Sequence, residues 1–316
     1  MKKVNAPYLD AKNITSKSLD WLRTNHDKDF FLWIHYMDAH RPYYPPIKFI
    51  KKVCDHKIND TDKIWMKEII NEVNIEKNYS VITPRVMNLT ENLYNAEIRY
   101  IDFYIGVLIK YLKKIGIFDK TSFIITADHG EALFEHNLLG HQANLYDELL
   151  KIPLLMKLSE INEEVHIYEQ VELMDLPATI LELFQIPNDT GFKGLSLKSL
   201  IENKIHHPEF AYSFLLHNKD IKINFLNKNN YQFFLMLSIR SLNWKYIKDQ
   251  QTNSAKLFNL MEDPKELNNL INSKDTEIRK VKRRFLKEVN EKLNLKENKE
   301  KKFITDTIKK IKFKRI

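Results

Sequence analysis

Residues 126–155, TADHGEALFEHNLLGHQANLYDELLKIPLL, place an Asp128-His129 pair, two further histidines (His136 and His141) and four carboxylates (Glu131, Glu135, Asp147, Glu148) within thirty positions. Carboxylate oxygen and imidazole nitrogen together suit a divalent cation, and oxygen-rich sets favour calcium or magnesium. Gly130, directly after the pair, lets the backbone turn tightly. A second pair of the same types, Asp38 and His40, stands in DAHRPYYPP, residues 38–46, where three prolines stop any strand or helix from continuing. Taken singly these residues are ordinary. An Asp after a strand commonly caps a helix, and a lone His more often satisfies a hydrogen bond than holds a ligand. The coincidence of two such pairs behind two apolar runs is what points to a site. The single cysteine, Cys54 in KKVCDHK, excludes an internal disulfide and has no metal-type spacing, so it reads as an ordinary thiol.

The elements that must position these groups can be read from apolar patterning. FFLWIHYM (30–37), TSFIITA (121–127) and KIPLLMK (151–157) have the length and composition of buried parallel strands. Helices are predicted over 18–25, 61–78, 88–116 and 171–184. The clearest is 88–116, where Leu93, Glu97, Tyr100, Ile101, Tyr104, Leu108, Tyr111 and Leu112 recur at helical spacing, with Thr90 as N-cap and Gly116 as the stop. Strands alternating with helices predict a mostly parallel α/β sheet with helices on its faces. In such sheets ligands bind at the carboxyl ends of strands, where both Asp-His pairs fall. After about residue 205, EFAYSFLL, YQFFLMLSIRS and NWKYIKD predict a small antiparallel sheet. The expected organisation is an α/β core over 1–204, a C-terminal α+β subdomain over 205–275 and a basic helical tail over 276–316.

The chain has 316 residues and is 43% hydrophobic, enough for a substantial core. Its net charge of +8 is concentrated at one end: residues 277–316 hold sixteen Lys and Arg against six Asp and Glu, and the rest is slightly acidic. A nucleic-acid surface needs basic residues spread over a folded face, so no nucleic-acid partner is expected. The lysines at the N-terminus have no apolar run behind them, and no stretch is long enough for a membrane span. A cytoplasmic location is the expectation.

Four segments, in order, resemble the sulfatase family of the alkaline phosphatase superfamily: FFLWIHYMDAHRPYYPP; DKTSFIITADHGEALFEHNLLGHQANLYDELLKIPLL; VELMDLPATILELFQIP followed by GFKGLSLKSLI; and SIRSLNWKYIKDQQTNSAKLFNLMEDPKELNNL. Together they cover roughly residues 15–272. The resemblance implies an alkaline-phosphatase-like fold and hydrolysis of a sulfate ester. It carries Asp128 and His129 onto half of a divalent-metal site, with calcium as the metal. It makes His40 the histidine that contacts the sulfate ester and assists the leaving oxygen. His141 falls where many members have a lysine that holds a sulfate oxygen; an imidazole carries a full charge there only when protonated. Glu131, Glu135, Asp147 and Glu148 are expected to be structural or solvated, and His136 is a weaker candidate.

Two parts of the family pattern are absent. The sequence contains no Cys-x-Pro-x-Arg or Ser-x-Pro-x-Arg, whose Cys or Ser becomes the formylglycine nucleophile, and no adjacent Asp-Asp pair to complete the metal site. The resemblance therefore implies an N-terminally incomplete core, inactive alone, needing a complementing N-terminal polypeptide or associating with itself. Two alternatives stand beside it. One is a phosphoester or phosphonate hydrolase of the same superfamily; the other is a non-catalytic remnant that binds a metal or a partner.

Overall fold

A computed structural model describes residues 8–70, 82–141, 144–161, 163–189, 191–202, 208–218, 233–250 and 252–291. The chain divides into two compact units. One takes Met1–Ala127, Glu131–Gln142 and Ile152–Glu163; the other takes Asp128–Gly130, Ala143–Lys151 and Glu164–Ile316.

The first unit is organised by one long helix. Helices α1 (Ala11–Asn25), α2 (Ile47–Val53) and α3 (Asp60–Ile70) pack against α4 (Pro84–Lys114). The face of α4 that does this carries Val86, Leu89, Leu93, Ala96 and Tyr100, all buried and spaced three or four apart. Around them Tyr43, Phe49, Ile50 and Met66 complete the core. α4 begins earlier than the sequence reading placed it. Its N-cap is Thr83, whose side chain accepts from Val86 N–H, with Pro84 in the first turn. Thr90 lies inside the helix instead, where its hydroxyl donates to the Val86 carbonyl at 2.8 Å. Gly116 follows the helix end at φ +74°, as a terminating glycine should.

The strands of this unit differ from expectation in two ways. β1 (Phe123–Thr126) pairs with β4 (Leu154–Lys157) antiparallel, not parallel, from Phe123↔Lys157 to Thr126↔Leu154. Among the described residues, only a short hairpin, β2 (Ala132–Leu133) with β3 (Leu139–Gly140), and two short helical turns, 135–137 and 147–150, lie between them. A parallel return needs a crossover element, and none occurs among the described residues of this stretch. Residues 30–37 form no strand. Phe30, Leu32 and Ile34 pack on Leu22, Leu108 and Leu112, while Phe31 and Trp33 are 60% and 79% exposed. No ladder partner for this segment occurs among the described residues, so its composition suits a strand but its pairing is not made.

In the second unit, α5 (Asp147–Leu150), α6 (Asp175–Leu183) and α7 (Leu197–Ile201) precede a four-stranded antiparallel sheet. Its order is β5 (Ala211–Asn218), β6 (Phe233–Arg240), β7 (Trp244–Asp249), β8 (Ala255–Asn259). Leu237, Ile239, Tyr246 and Leu257 bury one face of this sheet against Phe285 and Val289 of α8, residues 276–291. The helical reading of the tail beyond 291 lies outside the described residues. Among the described residues no helix is long and apolar enough to cross a membrane.

Candidate functional site

The site residues fall into two groups, one in each unit. In the first unit, His40 sits on a tight turn closed by its own N–H to the Met37 carbonyl at 2.9 Å. Its Nδ1 lies 2.5 Å from the Arg41 carbonyl. A carbonyl only accepts, so Nδ1 carries the proton and Nε2 is the atom available to exchange one. Tyr8 donates to the His40 carbonyl at 3.3 Å, and Tyr44 N–H donates to Glu97 at 2.6 Å, fixing the loop from both ends.

His141 is delivered by the β2–β3 hairpin. Its ring centroid is 5.0 Å from that of His40, so the two predicted substrate histidines come together. The hairpin turn is strained: Phe134, His136 and Asn137 have φ of 81°, 51° and 58°, all left-handed and none glycine. Clustered outliers of this kind are characteristic of functional loops. His136 belongs to that turn, and Glu135 supports it by accepting from Leu133 N–H at 2.5 Å.

Two further residues lie in this group: Glu131, expected from the sequence to be structural or solvated, and Arg41, which the sequence reading did not single out. Glu131, with a side chain 4% exposed, lies 3.9 Å from His141 Nδ1. It also faces Tyr43, whose phenol is pushed up by burial first and by the Glu131 carboxylate second. Arg41 lays its guanidinium against Gly140, where an added Cβ would collide with it; Gly140 is also at φ +83°. The signal for Arg41 was its place directly after His40; nothing in its spacing set it apart from other surface arginines.

In the second unit, Asp128 accepts from His129 N–H at 3.0 Å, and His129 Nε2 lies 3.9 Å from Asp128 Oδ2. His129 Nδ1 is bonded to the Gly130 carbonyl at 2.8 Å, which leaves the Nε2 lone pair on the ligand-type tautomer. A carboxylate oxygen and an Nε2 lone pair fit a divalent cation as two of its donors. Two donors do not complete a shell, and among the described residues no group of three or more His, Cys, Asp or Glu could hold a metal. Gly130 is fixed by close approach: its N–H donates to the Leu149 carbonyl at 2.8 Å, and a Cβ there would strike the Glu148 carbonyl.

Asp147 is structural in a specific way. It bonds Lys245 Nζ at 2.7 Å and Arg240 at 3.1 Å, while its N–H donates to Glu266 at 2.5 Å. Lys245 is fully buried between Asp147 and Glu266. Burial alone pushes the Asp147 carboxyl up, but Lys245 and Arg240 overcome it and hold it below the usual range.

Comparison with known proteins gives a consistent result. The sulfatase family profile matches residues 2–186, and a profile for the C-terminal part of N-sulphoglucosamine sulphohydrolase matches residues 135–296. Arylsulfatase K of Rattus norvegicus is 26% identical over 287 residues, covering 81% of this chain and 48% of that protein. An arylsulfatase of Clostridium perfringens is 25% identical over 279 residues, covering 83% of this chain and 53% of that protein. The chain thus spans about half the length of these relatives. Among solved structures, a protein in complex with its substrate D-glucosamine-2-N,6-O-disulfate superposes with TM-score 0.66 at 17% identity, over 92% of this chain and 70% of that one. A phosphonate monoester hydrolase of Agrobacterium radiobacter gives TM-score 0.69 at 18% identity, over 88% of this chain and 59% of that one.

Proposed function

The chain belongs to the sulfatase family, with its alkaline-phosphatase-like fold, and on that premise we propose that it supplies the substrate-histidine half of a sulfate-ester hydrolase site. The observation that carries this reading is the pairing of His40 with His141, ring to ring at 5.0 Å. With Nδ1 held by the Arg41 carbonyl, a protonated His40 has its transferable proton on Nε2 and delivers it to the leaving oxygen of the ester. His141, when protonated, donates a charged hydrogen bond to a sulfate oxygen, the part a lysine plays elsewhere in the family. Asp128 and His129 would hold a divalent metal, calcium in our reading, which when bound would supply Lewis-acid chemistry.

Turnover also needs a nucleophile and further carboxylates, and no motif for either occurs in these residues. We infer that they come from a polypeptide segment carrying the Asp pair and the Cys/Ser-x-Pro-x-Arg motif, joined in cis or in trans. Hydrolysis of an aryl sulfate tests this. The 316 residues alone should remain at background, and the chain supplied with such a segment should turn over. In the supplied form His40→Ala should cost about 10²- to 10⁴-fold. Turnover by the chain alone that His40→Ala abolishes would sink the complementation reading. Supplied chain that stays silent would favour a non-catalytic metal- or partner-binding role. The similarity to a phosphonate monoester hydrolase keeps a second reading in play, and a phosphonate monoester assayed in parallel separates the two.

A further inference from the structure

The loop that carries His40 is fastened to α4 at a buried carboxylate. Glu97, 4% exposed, accepts the Tyr44 N–H through Oε1. At the front of the same loop Asp38 is 5% exposed; it takes a backbone hydrogen bond from Ala11, and its Oδ2 has no hydrogen-bond partner among the described residues. Asp10 is the third acid of the group. Its Oδ1 accepts from Asn13 N–H at the start of α1, and its Oδ2 accepts from the Tyr100 hydroxyl at 3.1 Å. The remaining neighbours are phenols: Tyr8, donating to the His40 carbonyl; Tyr36, bonded to Thr15 at 2.8 Å; and Tyr104, which meets Tyr100 ring to edge. The charged groups that act on Glu97 are Asp38 and Asp10, both of its own sign.

An ionised carboxylate in such surroundings is costly, because burial removes water and no opposite charge replaces it. A neutral carboxylic acid avoids that cost and still offers its carbonyl oxygen to the Tyr44 amide. We propose that Glu97 is a positioning residue: protonated, it anchors the His40 loop to α4, and its ionisation beside Asp38 releases that anchor. Two titrations bear on it. Burial first and Asp38 second push Glu97 up to about 9; burial first, and Asp10 after it, push Asp38 up to about 6. Both folded values lie above the unfolded ones. The stabilisation they bring is therefore whole in acid and is lost as pH rises, ending above the Glu97 value.

The consequence for catalysis rests on the role proposed for His40, whereas the anchoring does not, so the test reads backbone protection and not turnover. Hydrogen–deuterium exchange of the full 316-residue chain, corrected for intrinsic rates, is followed across residues 38–46 and α4 from about pH 6 to about pH 10. Wild-type loop protection should fall about tenfold per pH unit from about pH 6 up to the Glu97 titration and level off beyond it, while α4 stays protected. Glu97→Gln keeps an acceptor without a titrating proton, so its loop should hold protection within about threefold over the whole range. Glu97→Ala should leave the loop unprotected at every pH. Flat wild-type protection would overturn the proposal. So would a Glu97→Gln loop that opens with pH as the wild type does, or a Glu97→Gln chain whose α4 also loses protection. Failure of the His40 assignment would leave all of these exchange results unchanged.

Discussion

The two glycines 130 and 106 separate close approach from mere flexibility. At Gly130 a Cβ would meet the Glu148 carbonyl and the Leu149 backbone, atoms that cannot swing aside as a side chain could. Gly130→Ala should therefore push residues 128–130 off the 148–149 backbone and cost about 1–3 kcal/mol. At Gly106, inside α4, nothing lies within 4 Å of an added Cβ. Gly106→Ala should stabilise by about 0.5–1 kcal/mol, since alanine loses less backbone freedom in a helix. Urea midpoints of the two variants check this, and equal effects would mean that the crowding at Gly130 relaxes freely. At this scale the sequence told much. Asp128, His129 and His40 drew notice in the sequence because two Asp-His pairs follow two apolar runs, and His141 through the family resemblance; the structure brings His40 and His141 ring to ring at 5.0 Å. Glu131 and Arg41 were not legible in this way. Neither the burial of a carboxylate nor the packing of an arginine is written in its neighbours along the chain; the Glu131–His141 approach of 3.9 Å and the Arg41–Gly140 packing are tertiary.

Elements were legible where one chain segment decides its own structure, and illegible where a partner decides. The α4 pattern needed only its own spacing, and even its true start was written as Thr83-Pro84, a cap followed by a first-turn proline. Residues 30–37 and 123–126 are both apolar, yet only the second is a strand, because only it has Leu154–Lys157 alongside. Antiparallel pairing of β1 with β4 follows from the absence of a crossover helix between them, a clue present in the sequence but outweighed by the α/β pattern. Asp147 shows the same dependence on partners. Its ties run to β6 through Arg240, to β7 through Lys245 and to Glu266 beyond β8. Lys245→Met would leave Glu266 buried without the Lys245 cation and Asp147 with Arg240 alone, at a cost of about 3–5 kcal/mol. For pH, the Asp147 carboxyl is held below its usual range in the folded chain, so its contribution is present above the unfolded value and lost as pH falls. Asp147→Asn should therefore destabilise at neutral pH and converge with wild type in acid, by about pH 3. Chemical denaturation across pH measures the gap; a gap that stays constant would show that the ion network contributes nothing net.

For the molecule as a whole, segment 29–37 poses a problem of burial. Its inward side chains are packed, but Phe31 and Trp33 point out at 60% and 79% exposure, and Leu155 on β4 is 61% exposed. Each such side chain, if covered, would gain about 1.5–3 kcal/mol, and the β1–β4 sheet has two strands among the described residues, whose edges invite pairing. A net charge of +8 opposes association of copies, but sixteen of its cationic residues lie in 277–316, so the repulsion acts mainly through the tail. The apolar gain is local to the exposed face and unscreened by salt, so it should win as ionic strength rises. The full chain is therefore expected to self-associate, more at about 0.5 M salt than at low salt, where screening is weaker. Phe31→Ser with Trp33→Glu should remove most of that association while leaving the melt unchanged, because neither side chain is in the core. Sedimentation velocity at several concentrations, with thermal melting of the same samples, decides it. A wild-type monomer at every concentration with one sharp melt would show that these residues already close a complete core, and would shift the balance toward a self-sufficient binding module and away from half of a hydrolase.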